Sequence, residues 1–140
     1  MKRSASAVWE GDLKAGKGRI STASGALKDT QYSFATRFEN GVGTNPEELI
    51  AAAHAGCFSM ALSAQLGTAG LTATSIRTSA TVTMDKTDAG WTVTASHLDV
   101  RAKIPGASQE AFETASNNAK AGCPISRLLN AKITMKASLE

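Results

Sequence analysis

Cysteine is scarce in this sequence, and its cysteines lie far apart. The chain contains 2 cysteines, Cys57 and Cys123, so it lacks a close CxxC pair of the kind that holds structural zinc. No apolar segment follows Lys2 and Arg3, which argues against a secretory signal. The sequence therefore predicts a reducing, cytoplasmic location, where cysteines are more often catalytic, redox-active or buried than bridged.

Aromatic residues and concentrated charge are also scarce. Aromatic residues make up 5% of the chain, its formal net charge is +3, and its isoelectric point is near 9.0. The densest basic group, Lys14, Lys17 and Arg19, has no aromatic residue between its members. The composition therefore argues against a nucleic-acid partner and predicts an ordinary solvated surface.

Charged residues are absent from residues 49–76, a length that could suggest a membrane span. Against this interpretation, Gly67 and Gly70 interrupt the segment, and its apolar content is mostly alanine mixed with His54, serine and threonine. A buried helix followed by a strand explains the segment better. The sequence therefore predicts no association with a membrane.

What the sequence does contain is a strong helix pattern over residues 45–67. Asn45 is a suitable N-cap, Pro46 fits the first helical position, and two glutamates follow where the helix dipole favours negative charge. Nearly every later residue is small or apolar, so the helix has no polar face and is expected to be buried on all sides. Gly67 is expected to end it.

The remaining pattern predicts an α+β fold with largely antiparallel sheet in a single domain, residues 1–140. Alternation of apolar residues predicts strands at residues 5–10, 17–21, 32–38, 76–85, 91–102 and 132–139. Helices are predicted over residues 108–121 and from Cys123-Pro124 onward, which gives the order βββ-α-ββ-αα-β. A change of apolar phase near Ser96 and His97 predicts a β-bulge.

The two thiols differ in their predicted surroundings, although either could be an inert buried residue. Cys123 stands at a predicted helix start, where a thiol pKa is lowered. Cys57 lies in mid-helix among apolar residues, which by itself raises a thiol pKa. Lowering a thiol pKa from about 8.5 to about 5.5 requires about 4 kcal/mol of preferential stabilisation of the thiolate. Only a nearby cation or several hydrogen-bond donors could supply that energy.

Arg37 is the best candidate cation, although an arginine on a strand more often faces solvent. It lies between two phenylalanines, and a buried arginine requires a carboxylate, for which Glu47 is available. Glu47 and Cys57 are ten positions apart, roughly 15 Å along a helix, so one arginine could hardly hold both within one helix. Two antiparallel helices would bring Glu47 of one chain near Cys57 of the other, which predicts a symmetric homodimer.

Three interpretations of His54 remain open from the residues alone. It could be a hydrogen-bonded core histidine, a base for the Cys57 thiol one turn later, or a metal ligand. In the last case His54, Cys57 and Cys123 would form a three-ligand zinc site with an open position. His97, at the predicted bulge, is expected on the surface.

Five sequence segments taken together indicate a protein family more specifically than any of these features does alone. They are WEGD at 9–12, TRFE at 36–39, GTNPEEL at 43–49, AAHAGCFSMAL at 52–62 and AGCPIS at 121–126. With these motifs the chain resembles, along nearly its whole length, the OsmC/Ohr family of organic hydroperoxide reductases. The resemblance implies an intertwined homodimer in which two long central helices are wrapped by sheets from both chains.

The resemblance also implies a thiol peroxidase that uses no metal or prosthetic group. Cys57 would be the peroxidatic thiolate and Cys123 the resolving thiol, which would form a disulfide with it. Arg37 would hold the thiolate and the peroxide, and Glu47 would pair with Arg37. The resemblance thus gives the peroxide to Cys57, whereas the helix start favours Cys123 as the low-pKa thiol. We follow the resemblance because a cation can outweigh the desolvation of Cys57.

The implied partners are an organic hydroperoxide, preferred over hydrogen peroxide, and a dithiol reductant such as a dihydrolipoyl protein. Phe58 and Met60 are expected to contribute to an apolar lining for the peroxide. Two alternatives remain: a metal-binding protein that uses His54, Cys57 and Cys123, and a non-enzymatic, stress-induced dimeric domain with two unreactive thiols.

Overall fold

A computed structural model describes the chain from Met1 to Glu140. It contains two three-stranded sheets and four helices in the order βββ-αα-ββ-αα-β, which confirms the predicted α+β class. The elements are β1 (Ala5–Glu10), β2 (Lys17–Thr22), β3 (Thr30–Tyr32), α1 (Phe34–Phe38), α2 (Pro46–Thr68), β4 (Ser75–Thr87), β5 (Gly90–Lys103), α3 (Gln109–Gly122), α4 (Pro124–Leu128) and β6 (Lys132–Leu139).

The chain forms two compact units, Met1–Leu49 and Ile50–Glu140. The single domain predicted for residues 1–140 stays a prediction. In the first unit, β1, β2 and β3 form an antiparallel sheet in that order. Tyr32 lies so close over Gly18 that any Cβ at this position would collide with its ring, and the Tyr32 and Trp9 ring centroids are 5.5 Å apart. The absence of a side chain at Gly18 therefore allows the Tyr32 ring to pack against the sheet.

Residues 32–38, predicted as one alternating strand, instead divide between the end of β3 and the short helix α1, so that prediction was wrong. The Thr36 N–H donates to Ser33 Oγ at 3.2 Å, and the Ser33 N–H donates to Thr36 Oγ1 at 2.8 Å. This reciprocal pair is a capping box, which fixes a helix start. Local hydrogen bonds therefore outweigh the alternation and place Arg37 in the last turn of a helix.

Helix α2 confirms the long central helix predicted from the sequence. Asn45 caps it, since its Oδ1 accepts the Glu48 N–H at 2.8 Å. The helix continues past Gly67, and the glycine that ends it is Gly70, whose φ is +72°. The Leu71 N–H donates back to the Leu66 carbonyl at 2.9 Å, which is the Schellman arrangement in which glycine takes the left-handed position.

In the single chain, α2 is buried on one face only, contrary to the expectation of burial on all sides. The buried face carries His54, Phe58, Leu62 and Leu66, which pack into the core of the second unit. The opposite face is exposed and uncharged, and its Met60 is 77% exposed. By length and composition α2 is also the one helix that could cross a membrane, a property shared by core helices of soluble proteins.

In the second unit, β4 and β5 are antiparallel, whereas β6 pairs with β5 in parallel. Helices α3 and α4 lie between β5 and β6 in sequence and supply the crossover that a parallel pair requires. The predicted β-bulge is present but lies at Thr94, between the pairs Thr83–Ala95 and Met84–Val93, and not at Ser96–His97. Beyond the bulge, β5 turns Ser96, Leu98, Val100 and Ala102 toward the core.

Candidate active site

The structure brings Cys57 and Cys123 together in the second unit. Their Sγ atoms are 2.8 Å apart and both side chains are free thiols. A disulfide bond measures about 2.05 Å, so the sulfurs need to move by less than about 1 Å to bond. Cys123 is 0% exposed, whereas Cys57 is only partly buried. Cys57 is therefore the thiol that a molecule arriving from solvent meets first.

The N-terminus of α4 provides its backbone hydrogen-bond donor to Cys57. This corrects the expectation that the helix start would stabilise the thiolate of Cys123. Cys123 occupies the N-cap position, but its side chain makes no capping hydrogen bond, and Pro124 has no N–H to donate. The N–H of Ile125, the next residue, donates to the Cys57 sulfur. Because Cys123 directs its own sulfur toward Cys57, the donor at this helix start faces the thiol on α2.

Burial raises the pKa of the Cys57 thiol above its ordinary value, and the adjacent Cys123 raises it further. The hydrogen bond from the Ile125 N–H acts in the opposite direction. Desolvation of a mid-helix cysteine was predicted from the sequence, and this part of the prediction is confirmed. These surroundings alone do not produce a thiolate at neutral pH, so a reactive Cys57 needs a cation in addition.

His54 is the hydrogen-bonded core histidine among the three interpretations. Its Nδ1 lies 2.7 Å from Ser96 Oγ and its Nε2 lies 2.8 Å from Ser126 Oγ, and the side chain is fully buried. Burial lowers the pKa of His54 below its ordinary value of 6.5. No group of three or more His, Cys, Asp or Glu side chains is arranged to hold a metal ion, so the zinc-site hypothesis gains no support. His97 is exposed, as predicted.

Arg37 and Glu47 form an ion pair in the first unit. Arg37 Nε lies 3.1 and 3.2 Å from the two carboxylate oxygens, and Nη2 lies 2.6 Å from Oε1. The Arg37 side chain is 38% exposed and that of Glu47 is 15% exposed. The guanidinium carbon also lies 5.5 Å from the centroid of the Phe38 ring. Two donor nitrogens on one carboxylate fix the orientation of the guanidinium plane.

A largely apolar cavity of about 270 Å³ lies beside Arg37 in the first unit. It is lined by Trp9, Leu13, Tyr32, Ser33, Phe34, Arg37, Phe38 and Pro46. Phe58 and Met60, which were expected to line a pocket, do not contribute to this cavity. Phe58 is fully buried in the core and Met60 lies on the exposed face of α2. The signal that could have identified the cavity is the cluster of aromatic residues around Arg37 in the sequence.

Sequence reasoning also missed three groups near the candidate site: the Ile125 N–H, which donates to Cys57, and the hydroxyls of Ser96 and Ser126, which lie against His54. A backbone donor has no sequence signature beyond the helix start itself. Ser126 is the last residue of the Cys-Pro-Ile-Ser segment, in which a serine stands where a redox CxxC motif has its second cysteine. That serine could have been identified as a polar partner for a buried group, but its bond to His54 joins residues 72 positions apart.

Comparison with known proteins identifies the family of this chain. Residues 38–138 match the family model described as OsmC-like protein. Peroxiredoxin OsmC of Escherichia coli (strain K12) is 54% identical over 134 residues, which cover 96% of this chain and 94% of that protein. This match confirms the family resemblance that the sequence motifs carry.

Solved structures share the fold over almost the whole chain. The OsmC-like protein of unknown function from Vibrio cholerae has a TM-score of 0.78 at 17% identity and covers 99% of both chains. The organic hydroperoxide resistance protein OhrB of Bacillus subtilis has a TM-score of 0.69 at 22% identity and covers 98% of both. From the family model and the 54% identical relative together, the chain belongs to the OsmC-like protein family.

Proposed function

We propose that this protein reduces organic hydroperoxides to alcohols through a sulfenic acid on Cys57 and a disulfide between Cys57 and Cys123. It is a peroxiredoxin-like peroxidase by family membership and by its 54% identity to a protein named peroxiredoxin. The observation that carries the thiol chemistry is the pair of free sulfurs 2.8 Å apart, one accessible and one fully buried. An accessible sulfur suits attack on a substrate, and a buried neighbour suits the later condensation.

The proposed reaction has three steps. The Cys57 thiolate attacks the O–O bond of the hydroperoxide, and the alkoxide leaves and takes a proton to become the alcohol, while Cys57 becomes a sulfenic acid. The Cys123 thiol then displaces the sulfenic hydroxyl, which leaves with the thiol proton as water, and the S–S bond forms. An external dithiol reduces this disulfide by two exchange steps and is itself oxidised to a disulfide.

Arg37 of one chain is proposed to keep Cys57 of the other chain ionised and to bind the peroxide, with Glu47 of its own chain orienting it. Burial raises the pKa of the Cys57 thiol, so a positive charge is needed to favour the thiolate. The ion pair with Glu47 supports this role because it holds the guanidinium through two nitrogens and leaves its direction fixed. An arginine held in this way presents a guanidinium group of fixed orientation toward an oxygen of the peroxide.

The cavity beside Arg37 is proposed to receive the organic group of the peroxide. Its lining is mainly aromatic and aliphatic, so it favours an alkyl or aryl group over water. Hydrogen peroxide has no such group and gains nothing from the cavity. We therefore propose a preference for organic hydroperoxides over hydrogen peroxide.

The active protein is proposed to be a symmetric, intertwined homodimer in which a second copy of α2 covers the exposed face of the first. That face is uncharged and carries Met60, which is 77% exposed in the single chain. Its alanine and glycine residues allow a second helix to approach closely. The proposed reductant is a small dithiol or a dihydrolipoyl protein, and the proposed location is the cytoplasm.

A thiol titration tests the proposed chemistry. When the reduced protein receives one equivalent of cumene hydroperoxide, both thiols should disappear together and a dithiol should restore them. Cys57→Ser should abolish peroxide consumption, because the attacking sulfur is missing. Cys123→Ser should complete a single turnover and leave a sulfenic acid on Cys57 that a dimedone probe traps, since no resolving thiol remains.

The opposite behaviour of the two variants would exchange the roles of Cys57 and Cys123. If the wild-type protein loses no thiol, the protein is the non-enzymatic dimeric domain. Elemental analysis of the purified protein tests the metal-binding alternative: a stoichiometric metal would contradict a mechanism that relies on sulfur alone.

A further inference from the structure

A chain of hydrogen bonds runs beside the two cysteines in the second unit and is not used by the proposed reaction. It consists of Ser96 on β5, His54 on α2 and Ser126 on α4, joined at 2.7 and 2.8 Å through the two nitrogens of the imidazole ring. Neutral imidazole has one donor nitrogen and one acceptor nitrogen, and a serine hydroxyl can complement either. Because burial lowers the pKa of His54, the ring is neutral at neutral pH and both bonds can be satisfied.

This chain of hydrogen bonds joins the same two helices as the thiol pair. His54 lies three residues before Cys57 on α2, and Ser126 lies three residues after Cys123 at the start of α4. The sulfur–sulfur contact and the His54–Ser126 contact both measure 2.8 Å. The Ile125 N–H adds a third contact from α4 to Cys57. The position of α4 against α2 therefore sets how closely the two sulfurs approach.

Helix α4 has few other contacts that hold it in place. It is five residues long and has no fully buried residue, and its Leu128 is 74% exposed, while its Ile125 is partly buried against the core. During the proposed catalytic cycle, the contact between the sulfurs breaks and forms again with each change of oxidation state. The bond between His54 and Ser126 involves no redox-active atom and can persist through the cycle. It is thus the side-chain hydrogen bond of α4 that does not depend on the state of the cysteines.

We propose that His54 and Ser126 are positioning residues that hold Cys123 within bonding distance of Cys57 and thereby favour formation of their disulfide. The proposal rests on the proposed function. It concerns the step in which the Cys123 sulfur bonds to the Cys57 sulfur, the S–O bond of the sulfenic acid breaks, and water leaves. Neither residue exchanges electrons or protons with the substrate. Their contribution is to raise the effective concentration of one thiol at the other.

The redox equilibrium of the cysteine pair with a glutathione buffer tests the proposal without any peroxide. In Ser126→Ala the bond to His54 is lost, α4 is freer in the reduced protein, and the disulfide becomes less favourable. We expect the effective concentration of the two thiols to fall about tenfold, which makes the reduction potential less negative by about 30 mV. Ser126→Thr keeps a hydroxyl at the same position and should restore the wild-type potential.

Ser59→Ala is the matched control. Ser59 is also a partly buried serine whose hydroxyl joins α2 to another element, since its Oγ lies 2.8 Å from Thr78 Oγ1 on β4. Its loss leaves α4 untouched, so the potential should stay at the wild-type value. A shift in Ser59→Ala equal to that in Ser126→Ala would mean that any loosening of α2 suffices, and this would overturn the proposal.

A second pair of variants tests the same bond from the histidine side. Glutamine can place its amide nitrogen where His54 Nε2 lies and so keep a bond to Ser126, whereas the shorter asparagine reaches only the Nδ1 position. We expect His54→Gln to have a potential near that of the wild type and His54→Asn to match Ser126→Ala. Equal potentials in these two variants, or no shift in Ser126→Ala, would contradict the proposal.

The kinetic consequence separates this inference from the proposed function. After one equivalent of cumene hydroperoxide, Ser126→Ala should leave a larger fraction of Cys57 as dimedone-reactive sulfenic acid than the wild type does. If the wild type itself consumes no peroxide, the peroxidase function fails, whereas the glutathione equilibrium still decides the role of His54 and Ser126. If the wild type reacts and Ser126→Ala forms its disulfide at the same rate, only the positioning role fails.

Discussion

At the scale of single residues, the contact between Arg37 and Glu47 depends on the shape of the guanidinium group and not only on its charge. Two nitrogens, Nε and Nη2, donate to one carboxylate. A lysine ammonium carries the same charge as a compact point with rotatable donors, and it cannot reproduce this planar arrangement. Replacement of Arg37 by lysine therefore tests the orientation of the donor atoms separately from the positive charge.

We expect Arg37→Lys to lower kcat/KM for cumene hydroperoxide by about 100-fold, the order of loss when an oriented donor to a developing negative charge is removed. The Cys57 thiolate should form at nearly the same pH, because the positive charge is kept. Steady-state kinetics and absorbance at 240 nm measure the two quantities.

Arg77→Lys serves as the control for this substitution, since Arg77 is an exposed arginine on β4 of the second unit. Its kcat/KM should remain within about twofold of the wild-type value, as is usual for surface changes. Wild-type activity in Arg37→Lys would show that the oriented guanidinium is not needed.

The residues proposed to react are those that the sequence could indicate, because cysteine is rare in the chain. With only 2 cysteines, and with Arg37 just before the glycine loop that leads into the long helix, few combinations of thiol and cation exist. The groups that arrange them could not be predicted in the same way. Ser96 and Ser126 are ordinary serines, and only the fold brings them to the two nitrogens of His54.

At the scale of elements, His54 joins α2, β5 and α4 through one buried ring. Burial holds its pKa in the folded protein below the ordinary value of 6.5. The unfolded chain therefore binds a proton to this histidine at a higher pH than the folded protein does. The stabilising contribution of neutral His54 is complete above pH 6.5 and is lost as the pH falls from 6.5 toward the lower pKa of the folded state.

We expect the free energy of unfolding to fall faster with acidification in the wild type than in His54→Gln, which has no ionisable group at this position. Between pH 8 and pH 6 the free energy of unfolding should fall by more in the wild type than in the variant. Urea denaturation at both pH values measures it. Parallel stability curves for the two proteins would mean that His54 titrates alike in the folded and unfolded states.

The elements themselves were predictable where one strong signal dominates and not where two signals compete. Helix α2 carries a cap, a proline at its first position and a long small-residue run, and it was predicted almost to its ends. At Ser33 the apolar alternation competes with a capping box, and the local hydrogen bonds prevail. The parallel pairing of β5 with β6 follows from the packing of the crossover helices, which no local pattern encodes.

At the scale of the whole molecule, the exposed face of α2 is the feature that supports the proposed homodimer. The buried face of the helix carries large side chains, whereas the exposed face carries Met60 among small uncharged residues. If a second copy covers this face, a charge at position 60 would be buried close to its own copy, which is strongly unfavourable.

We therefore expect Met60→Glu to convert a dimer into monomer or to lower its thermal stability by several degrees. Size-exclusion chromatography with light scattering at micromolar concentration measures the mass. Asn117→Glu, an exposed substitution on α3, should leave the mass unchanged. A wild-type protein that is monomeric at this concentration, or a Met60→Glu protein that stays dimeric and equally stable, would contradict the homodimer.

In the proposed cycle, the complete burial of Cys123 also determines where electrons enter the oxidised protein. A thiol from outside can approach only the sulfur of Cys57, so the first mixed disulfide with the reductant must form there, with Cys123 as the leaving group. In a protein that lacks Cys123, oxidation leaves a sulfenic acid on Cys57, and a donor thiol displaces its hydroxyl as water to form the same mixed disulfide. A second thiol on the donor would release this adduct, so an electron donor stripped of that second thiol stays attached to Cys57 and can be identified from the adduct.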